Sequence, residues 1–469
     1  MLTMKAYLDS LREQYAEETL VIEEEVNPAT FEVTAILQQL EMEKKYPLVY
    51  FTNPLNLEGV LSKFPVVTNV FATRERCALA MGMDPGQCKL PLSLEYAARE
   101  AHRLPVEVVP LNRAPVKEVV HVGDSVNLRK FPIVRHHEMD LGPYIDMIPI
   151  MRDPETGAYN ASFQRTMYKG PRKLGLHMSP RHNWEIARRN EARNRSTPVV
   201  ILVGHHPSFC LAALNVASFY DNDYEVIGSI MGAPLLVTPS ETWGDEFMVP
   251  ADADILIEGE IPPQVREIEA PFGEFTGYYG PQRYRWVIEV KAITHREHAI
   301  YQNIFVGHPD TWILGAIPKE GSLFNRIKAI VPTVKAVCLP NSGCGRFNCY
   351  ISIDKKTDGE SKQAALIALG EIDFIKNVVV VDEDIDPFNE EEVMWSVATR
   401  VQADEDVDIL KNVKGNVLDP SLKGNILTSK MIIDATRPVE RPFAERLQIP
   451  TDALDKAKLL LQQKGVTKD

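Results

Sequence analysis

The run Trp286-Val-Ile-Glu-Val-Lys-Ala-Ile-Thr294 reads as a β-strand, and the short apolar runs around it decide the fold class. They are Glu118–Val122, Val199–Val203, Pro234–Val237, Ala253–Glu258 and Ala299–Phe305, separated by Gly, Pro and Asn-Asp turns. From about Val116 to Phe305 this pattern predicts an antiparallel sheet or barrel with helical insertions.

The flanks differ. Upstream, Tyr7, Leu8, Leu11 and Tyr15 share one face at helical spacing. A strand follows at Leu20–Val26, a helix at Phe31–Glu43, and a strand at Pro47–Phe51 closed by Thr52-Asn-Pro54. That alternation predicts a small α/β domain ending in the proline-punctuated stretch Leu104–Pro115. Downstream of Gly307, strands at Val334–Cys338, Cys349–Ile353 and Asn377–Val381 alternate with helices at Ser361–Leu369 and Glu391–Val401, again an α/β layered sheet. The tail Ala444–Gln463 ends as a helix with Leu454, Leu459, Leu460 and Leu461 for packing, the kind that docks on a partner subunit. The expected division is an α/β domain at 1–112, the β-rich domain at 113–306, an α/β domain at 307–440 and a helical tail at 441–469.

At 469 residues the chain is too long for one apolar core, so two or three domains are expected. Lys+Arg is 51 against Asp+Glu 65, a net charge of −14, which disfavours a nucleic-acid binder. The apolar fraction of 45% and charged fraction of 25% fit a soluble globular protein. The longest apolar runs, such as Val199–Val203, fall far short of the ~18–20 residues that span a bilayer, so no membrane association is expected. Charges occupy the N-terminal stretch where a signal peptide would be apolar. Six cysteines without a CxxC pair fit a reducing cytoplasm.

Three stretches carry chemistry. Tyr159-Asn-Ala-Ser-Phe-Gln-Arg-Thr-Met-Tyr168 groups an amide, a hydroxyl and a guanidinium. On a strand Asn160 and Ser162 share a face, and Arg165 needs a turn or bulge to join them. The plain alternative is a half-exposed strand with ordinary polar positions. Ser179-Pro-Arg-His182 sets a histidine on a rigid loop, and Asp221-Asn-Asp-Tyr-Glu225 offers hard oxygen ligands before Gly228. An amide oxygen, an imidazole and a carboxylate suit Mn²⁺ or Mg²⁺ better than zinc. The Asp221–Glu225 run reads equally as a capped helix start. Glu269-Ala-Pro-Phe-Gly-Glu274 sets two carboxylates around a rigid Pro and a permissive Gly. With Arg165 beside them they would titrate as a coupled set and move a proton. Alone they read as exposed loop glutamates.

Other features are weaker. His295-Arg-Glu-His298 is not a zinc-protease motif; His205-His206 would line a pocket or cap a turn; Cys338, Cys344 and Cys349 read as buried or loop thiols. No phosphate-binding P-loop, dinucleotide fingerprint or nucleophile elbow occurs.

Taken in order, these stretches resemble the UbiD family of reversible decarboxylases, nearly end to end. The resemblance also rests on Asn69-Val-Phe-Ala-Thr-Arg-Glu-Arg76, Ala80-Met-Gly-Met83 and His121-Val-Gly-Asp-Ser-Val-Asn-Leu-Arg-Lys-Phe-Pro-Ile133. Later matches are Met248-Val-Pro-Ala-Asp-Ala-Asp-Ile-Leu-Ile-Glu-Gly259, Trp395-Ser-Val-Ala-Thr-Arg400 and Ser429-Lys-Met-Ile-Ile-Asp-Ala-Thr436. It implies a central split β-barrel that binds flavin and a C-terminal α/β oligomerisation domain. It implies a prenylated FMN made by a separate flavin prenyltransferase, a Mn²⁺ bridging protein and cofactor phosphate, and a K⁺ or Na⁺ nearby. Residue by residue, Asn160 and His182 match the metal ligands, with Asp223 in the third place and Glu225 as the fallback. Arg165, Glu269 and Glu274 match the catalytic network. Ser162, Phe163 and Gln164 match the stretch along the flavin, Arg181 and His182 the cofactor site, and Lys430 a lysine near the cofactor phosphate.

The implied reaction is non-oxidative (de)carboxylation of an aromatic, heteroaromatic or α,β-unsaturated acid, releasing or fixing CO₂. The flavin is the electron sink, because no side chain stabilises the carbanion left on an sp² carbon. Glu274 is the expected proton donor. The alternative is a flavin-holding relative without turnover, or a subunit of a larger carboxylase assembly. A homo-oligomer, dimer or hexamer, is expected. His308, Asp310 and Trp312 are candidate substrate-pocket residues.

Overall fold

The computed structural model describes residues 2–423 and 426–464. The first helix, Met4–Gln14, is capped by Thr3, whose hydroxyl accepts from the Ala6 amide, and it buries Tyr7, Leu8 and Leu11 as their spacing predicts. It leads into a four-stranded sheet in the order Thr19–Val26, Leu48–Pro54, Val66–Thr68 and Tyr301–Gln302. Two points here differ from the sequence reading. The second strand runs on through Thr52-Asn-Pro54, because Asn53 and Pro54 still pair with Glu25 and Val26, beyond the stretch Val49–Phe51 that pairs with Val66–Thr68. The run Ala299–Phe305 contributes only Tyr301–Gln302, and that strand joins the N-terminal sheet, parallel to Val66–Thr68.

The central sheet is antiparallel and has ten strands. Its path is Tyr144–Ile145, Thr166–Gly170, Lys173–Leu176, Arg283–His295, Ile255–Ile261, Thr197–Val203, Ile148–Arg152 and Tyr159–Ala161. Val119–Val122 and Glu267–Glu269 also pair with the long strand Arg283–His295. The ends of the path do not meet, so the sheet curls without closing. Its centre is dry. Val199 to Val203 are all fully buried, and Ile201 faces Ile257 on one side and Pro149 on the other. Apart from Ile148–Arg152, the strands between Tyr144 and Leu176 are two to five residues long and mix Gly, Lys, Asn and Tyr with their apolar positions, so no apolar run announces them.

The third unit has five strands in the order Val334–Cys338, Asn348–Ile353, Asn377–Asp382, Leu427–Ala435 and Val407–Lys414. Helices Glu360–Glu371 and Glu390–Arg400 accompany it, close to the expected positions. The sequence reading missed the helix Pro309–Lys328, which holds Pro318 in its interior. Its first half packs into the large apolar cluster shared by the first two units, through Ile313, Leu314 and Ile317. Its second half packs into the cluster of the third unit, through Leu323, Phe324 and Ile327. The tail helix Thr451–Gln463 has no buried residue, and residues 465–469 of the expected tail lie outside the described residues.

Candidate active site

Strand Tyr159–Ala161 ends at Ser162, and the next strand begins at Thr166. The irregular stretch between them supplies the break that Arg165 needs. The Arg165 guanidinium grips Glu269 with both ends of its fork, Nε to Oε1 at 2.8 Å and Nη2 to Oε2 at 3.0 Å. Its Nη1 donates to Glu274 Oε1 in a close ion pair. The Tyr144 hydroxyl donates to Glu269 Oε1 at 3.3 Å, and the Phe272 ring lies under the guanidinium at 4.8 Å. Both glutamates are withdrawn from solvent, so neither is an exposed loop residue: Glu269 is only 1% exposed, and the Glu274 side chain 14%. Burial pushes the Glu274 carboxyl above the usual carboxylate range, against the opposing pull of Arg165. This carboxyl is therefore held toward its protonated form while Arg165 keeps its charge.

Glu274 sits at the tip of a hairpin, Phe272–Gly273 paired with Tyr279–Gly280. Asp140 anchors the hairpin by accepting from the Gly273 amide at 2.9 Å. Gly280 leaves room for the Glu274 carboxylate; a Cβ there would stand 2.6 Å from Oε1.

The amide and imidazole meet as expected. Asn160 Oδ1 faces His182 Nδ1 at 3.0 Å, and Asn160 Nδ2 donates to Asn183 Oδ1 at 2.8 Å, which fixes the oxygen toward the histidine. His182 opens the helix His182–Ala192, and burial lowers its pKa, with Arg181 adding repulsion, so the ring is held toward its neutral form. Asp223 opens the helix Asp223–Met231 behind the Asn222 cap. Its Oδ2 accepts from the Ala161 amide at 2.8 Å, and burial pushes its pKa up to about 7. Asp223 lines the cavity, and Glu225, two residues on, does not.

These groups share one cavity of about 700 Å³. Its wall includes Asn160, Ser162, Phe163, Gln164, Arg165, Arg181, His182, Asp223 and Glu274. Glu269 stands behind Arg165 rather than in the wall, and Lys430 lies elsewhere. Its strand position buries the side chain in the third unit, where Nζ donates to the Leu369 carbonyl at 3.0 Å, away from the cavity wall. His308, Asp310 and Trp312 are structural as well. His308 caps the helix Pro309–Lys328, Asp310 accepts from the Phe71 and Phe305 amides, and the Trp312 indole donates to the Phe275 carbonyl. His206 caps the helix Pro207–Ala212. The sequence reading missed Asp146, His177, Lys319, Arg346 and Leu418 in the cavity wall. Lys319, between Pro318 and Glu320, and Arg346, after Gly345, were visible only as basic residues in segments with no assigned element.

The donor set fits a six-coordinate divalent ion. Among the described residues no cluster of three His, Cys, Asp or Glu occurs, so any such ion needs the amide of Asn160. The Gln164 Oε1, buried without a hydrogen-bond partner in the same wall, is an acceptor waiting for a donor such as a ring N–H.

Comparison with known proteins decides the family. Three UbiD models, described as the N-terminal, Rift-related and C-terminal domains of 3-octaprenyl-4-hydroxybenzoate carboxy-lyase, match residues 11–88, 107–309 and 312–435. The chain belongs to the UbiD family. Its fold is similar to that of the UbiD-class enzyme HmfF from Pelotomaculum thermopropionicum in complex with FMN, at a TM-score of 0.90 and 36% identity over 98% of this chain and 99% of that one. An evolved dimeric form of HmfF, in complex with prFMN, matches at 0.87 and 35% over 97% and 98%. The phenolic acid decarboxylase of Sedimentibacter hydroxybenzoicus is 32% identical over 92% of each chain. The anhydromevalonate phosphate decarboxylase of Methanothermobacter thermautotrophicus is 33% identical over 95% of this chain and 99% of that one.

Proposed function

We propose that this UbiD-family chain is a carboxy-lyase for an aromatic, heteroaromatic or α,β-unsaturated acid, working with prenylated FMN. The observation that carries the reading is the buried Arg165 clasped by Glu269 and Glu274 in the wall of a ligand-sized cavity. A protein that only stores flavin has no use for this arrangement. The FMN and prFMN complexes of HmfF support the cofactor.

Asn160, His182 and Asp223 would hold a Mn²⁺ against the cofactor phosphate, with K⁺ or Na⁺ beside it. Ser162, Phe163 and Gln164 would lie along the ring system, and Arg181 near the phosphate. Bound there, the flavin supplies the electron sink that stabilises charge on the carbon losing CO₂. Everything else falls to the chain. Arg165 orients the substrate carboxylate, and Glu269 fixes the guanidinium through two hydrogen bonds. Glu274, held toward its neutral form, delivers a proton to the carbon that CO₂ leaves, and in carboxylation removes one. The low-dielectric wall strengthens each of these contacts.

We place the protein in a reducing compartment, the cytoplasm, supplied with cofactor by a flavin prenyltransferase; all six cysteines are free. No helix among the described residues is long and apolar enough to cross a membrane. A homo-oligomer is the natural use for the tail helix, whose Leu454, Leu459, Leu460 and Leu461 are all exposed.

The test is co-expression with a flavin prenyltransferase and a CO₂-release assay over a panel of acids. Glu274→Gln is expected to abolish turnover while the flavin spectrum stays. Wild-type turnover in that variant would remove Glu274 from its role, and a wild-type protein that purifies without flavin would sink the reading.

A further inference from the structure

Two basic side chains in the cavity have no part in the chemistry above. Lys319 lies on the helix Pro309–Lys328, one turn beyond Gly315, and its Nζ donates to the Gly315 carbonyl at 2.7 Å. Arg346 follows a turn in which Cys344 and Gly345 both take left-handed φ, 54° and 64°. Its guanidinium lies over the Phe275 ring at 4.6 Å, and its Nη1 donates to the Cys344 carbonyl at 3.1 Å. It reaches that place only because residue 315 is glycine: a Cβ there would stand 2.1 Å from Arg346 Nη2.

Neither side chain makes an ion pair among the described residues, although half-buried Arg74 and buried Arg76, Arg165 and Arg400 all do. The nearest acids are engaged elsewhere. Glu320 pairs with Arg74 at 2.6 Å, and Glu100 accepts from the Val216 amide at 2.7 Å. Burial and the repulsion of Arg346 and Arg181 pull Lys319 down to about 7; burial pulls Arg346 down to about 10. Two cations pressed together in a cavity wall, with most of their donors unused, are complete only when an anion sits between them. Arg346 lies over the ring of Phe275, the residue after Glu274, whose carbonyl Trp312 holds, and Arg181 stands near enough to repel both cations.

We propose that Lys319 and Arg346 bind a second anionic group of the substrate, so that the preferred acid carries a carboxylate or phosphate besides the carboxylate it loses. This inference rests on the decarboxylase reading. A cofactor phosphate is the other possible source of the anion, and the experiment separates the two.

The loaded wild-type enzyme is assayed on monoacid and diacid pairs built on one ring: benzoate against benzene-1,4-dicarboxylate, and furan-2-carboxylate against furan-2,5-dicarboxylate. A phosphate-bearing acid, 4-phosphonooxybenzoate, completes the set. The dianionic members are expected to show kcat/KM on the order of 10- to 100-fold higher. In Arg346→Met and Lys319→Met that preference is expected to collapse, while flavin absorbance per chain after desalting stays at the wild-type ratio. A wild-type enzyme that favours monoacids overturns the inference. So does loss of flavin from the variants, which would assign the pair to the cofactor phosphate. Calorimetric titration of the diacids into wild type and Arg346→Met reads binding without turnover. Arg346-dependent diacid binding with no CO₂ from any acid would sink the decarboxylase reading alone. CO₂ from monoacids with no Arg346-dependent diacid binding would sink this inference alone.

Discussion

Arg165 meets its two glutamates because the chain abandons regular strand geometry for four residues, between Ala161 and Thr166. The residue types were legible: Asn160, Ser162, Arg165, His182, Asp223, Glu269 and Glu274 all reach one place. Lys430 was not, because the direction of a strand side chain is set by pairing partners, and Lys430 pairs with Leu410 inside the third sheet. The bidentate grip on Glu269 predicts the behaviour of Arg165→Lys. A single ammonium cannot reproduce the fork, so kcat is expected to fall about 10²-fold or more while flavin is retained. Steady-state kinetics with a flavin spectrum checks this. The second residue-scale expectation concerns the acid beside Asn160. Asp223→Ala should abolish retention of Mn²⁺, measured by metal analysis of the purified protein, and Glu225→Ala should not; the reverse outcome would move the third ligand to Glu225.

At the scale of elements, two glycines divide positioning from stability. A Cβ at Gly280 would press on the end of the Glu274 side chain, which can swing away. Gly280→Ala is expected to lower kcat at least tenfold with a melting temperature close to wild type, since the chain gives where it is flexible. A Cβ at Gly321 would meet the Ser93 carbonyl at 1.9 Å, backbone against backbone, where the helices Leu90–Glu100 and Pro309–Lys328 cross. Gly321→Ala is expected to cost about 1–3 kcal/mol or more, read by denaturant unfolding. Element types in the first and third units were legible from apolar periodicity where the runs are long, but the helices Arg74–Ala80 and Leu90–Glu100 were not read. The helix Pro309–Lys328 was hidden by Pro318, which signals a break from sequence alone, whereas here packing on both faces holds the helix through it. The strands from Tyr144 to Leu176 were hidden for another reason: they are two to five residues long, too short for a period-two apolar stripe to show.

For the whole molecule, buried titratable groups set the response to pH. Burial pulls His136, His177, His205 and His308 down to about 3 from an ordinary 6.5. A depressed histidine contributes stability that is complete above 6.5 and is lost as pH falls toward 3. Burial pushes Asp254 to about 7 and Asp310 to about 6, from an ordinary 3.8. A raised aspartate contributes stability that is complete below 3.8 and is lost as pH rises through 6 to 7. The two slopes oppose each other between roughly 4 and 6.5, and below 4 only the histidine slope remains. With four such histidines against two aspartates the histidine slope prevails, so the melting temperature is expected to fall as pH drops below about 6.5 and more steeply below 4. A thermal scan series that stays flat to pH 3 would contradict the neutral, buried histidines.

The helix that passes from one apolar cluster into the other has a mechanical consequence. It carries Thr311 and Leu314 in its first half and Lys319 at its midpoint, all in the cavity wall, while its far end is embedded in the third unit, which also sends Leu418 into that wall. Such a rod works as a lever: the tilt of the C-terminal layer and the shape of the reaction chamber are one degree of freedom. A bound molecule that draws Lys319 and Leu418 together would register as a change in the posture of the entire layer.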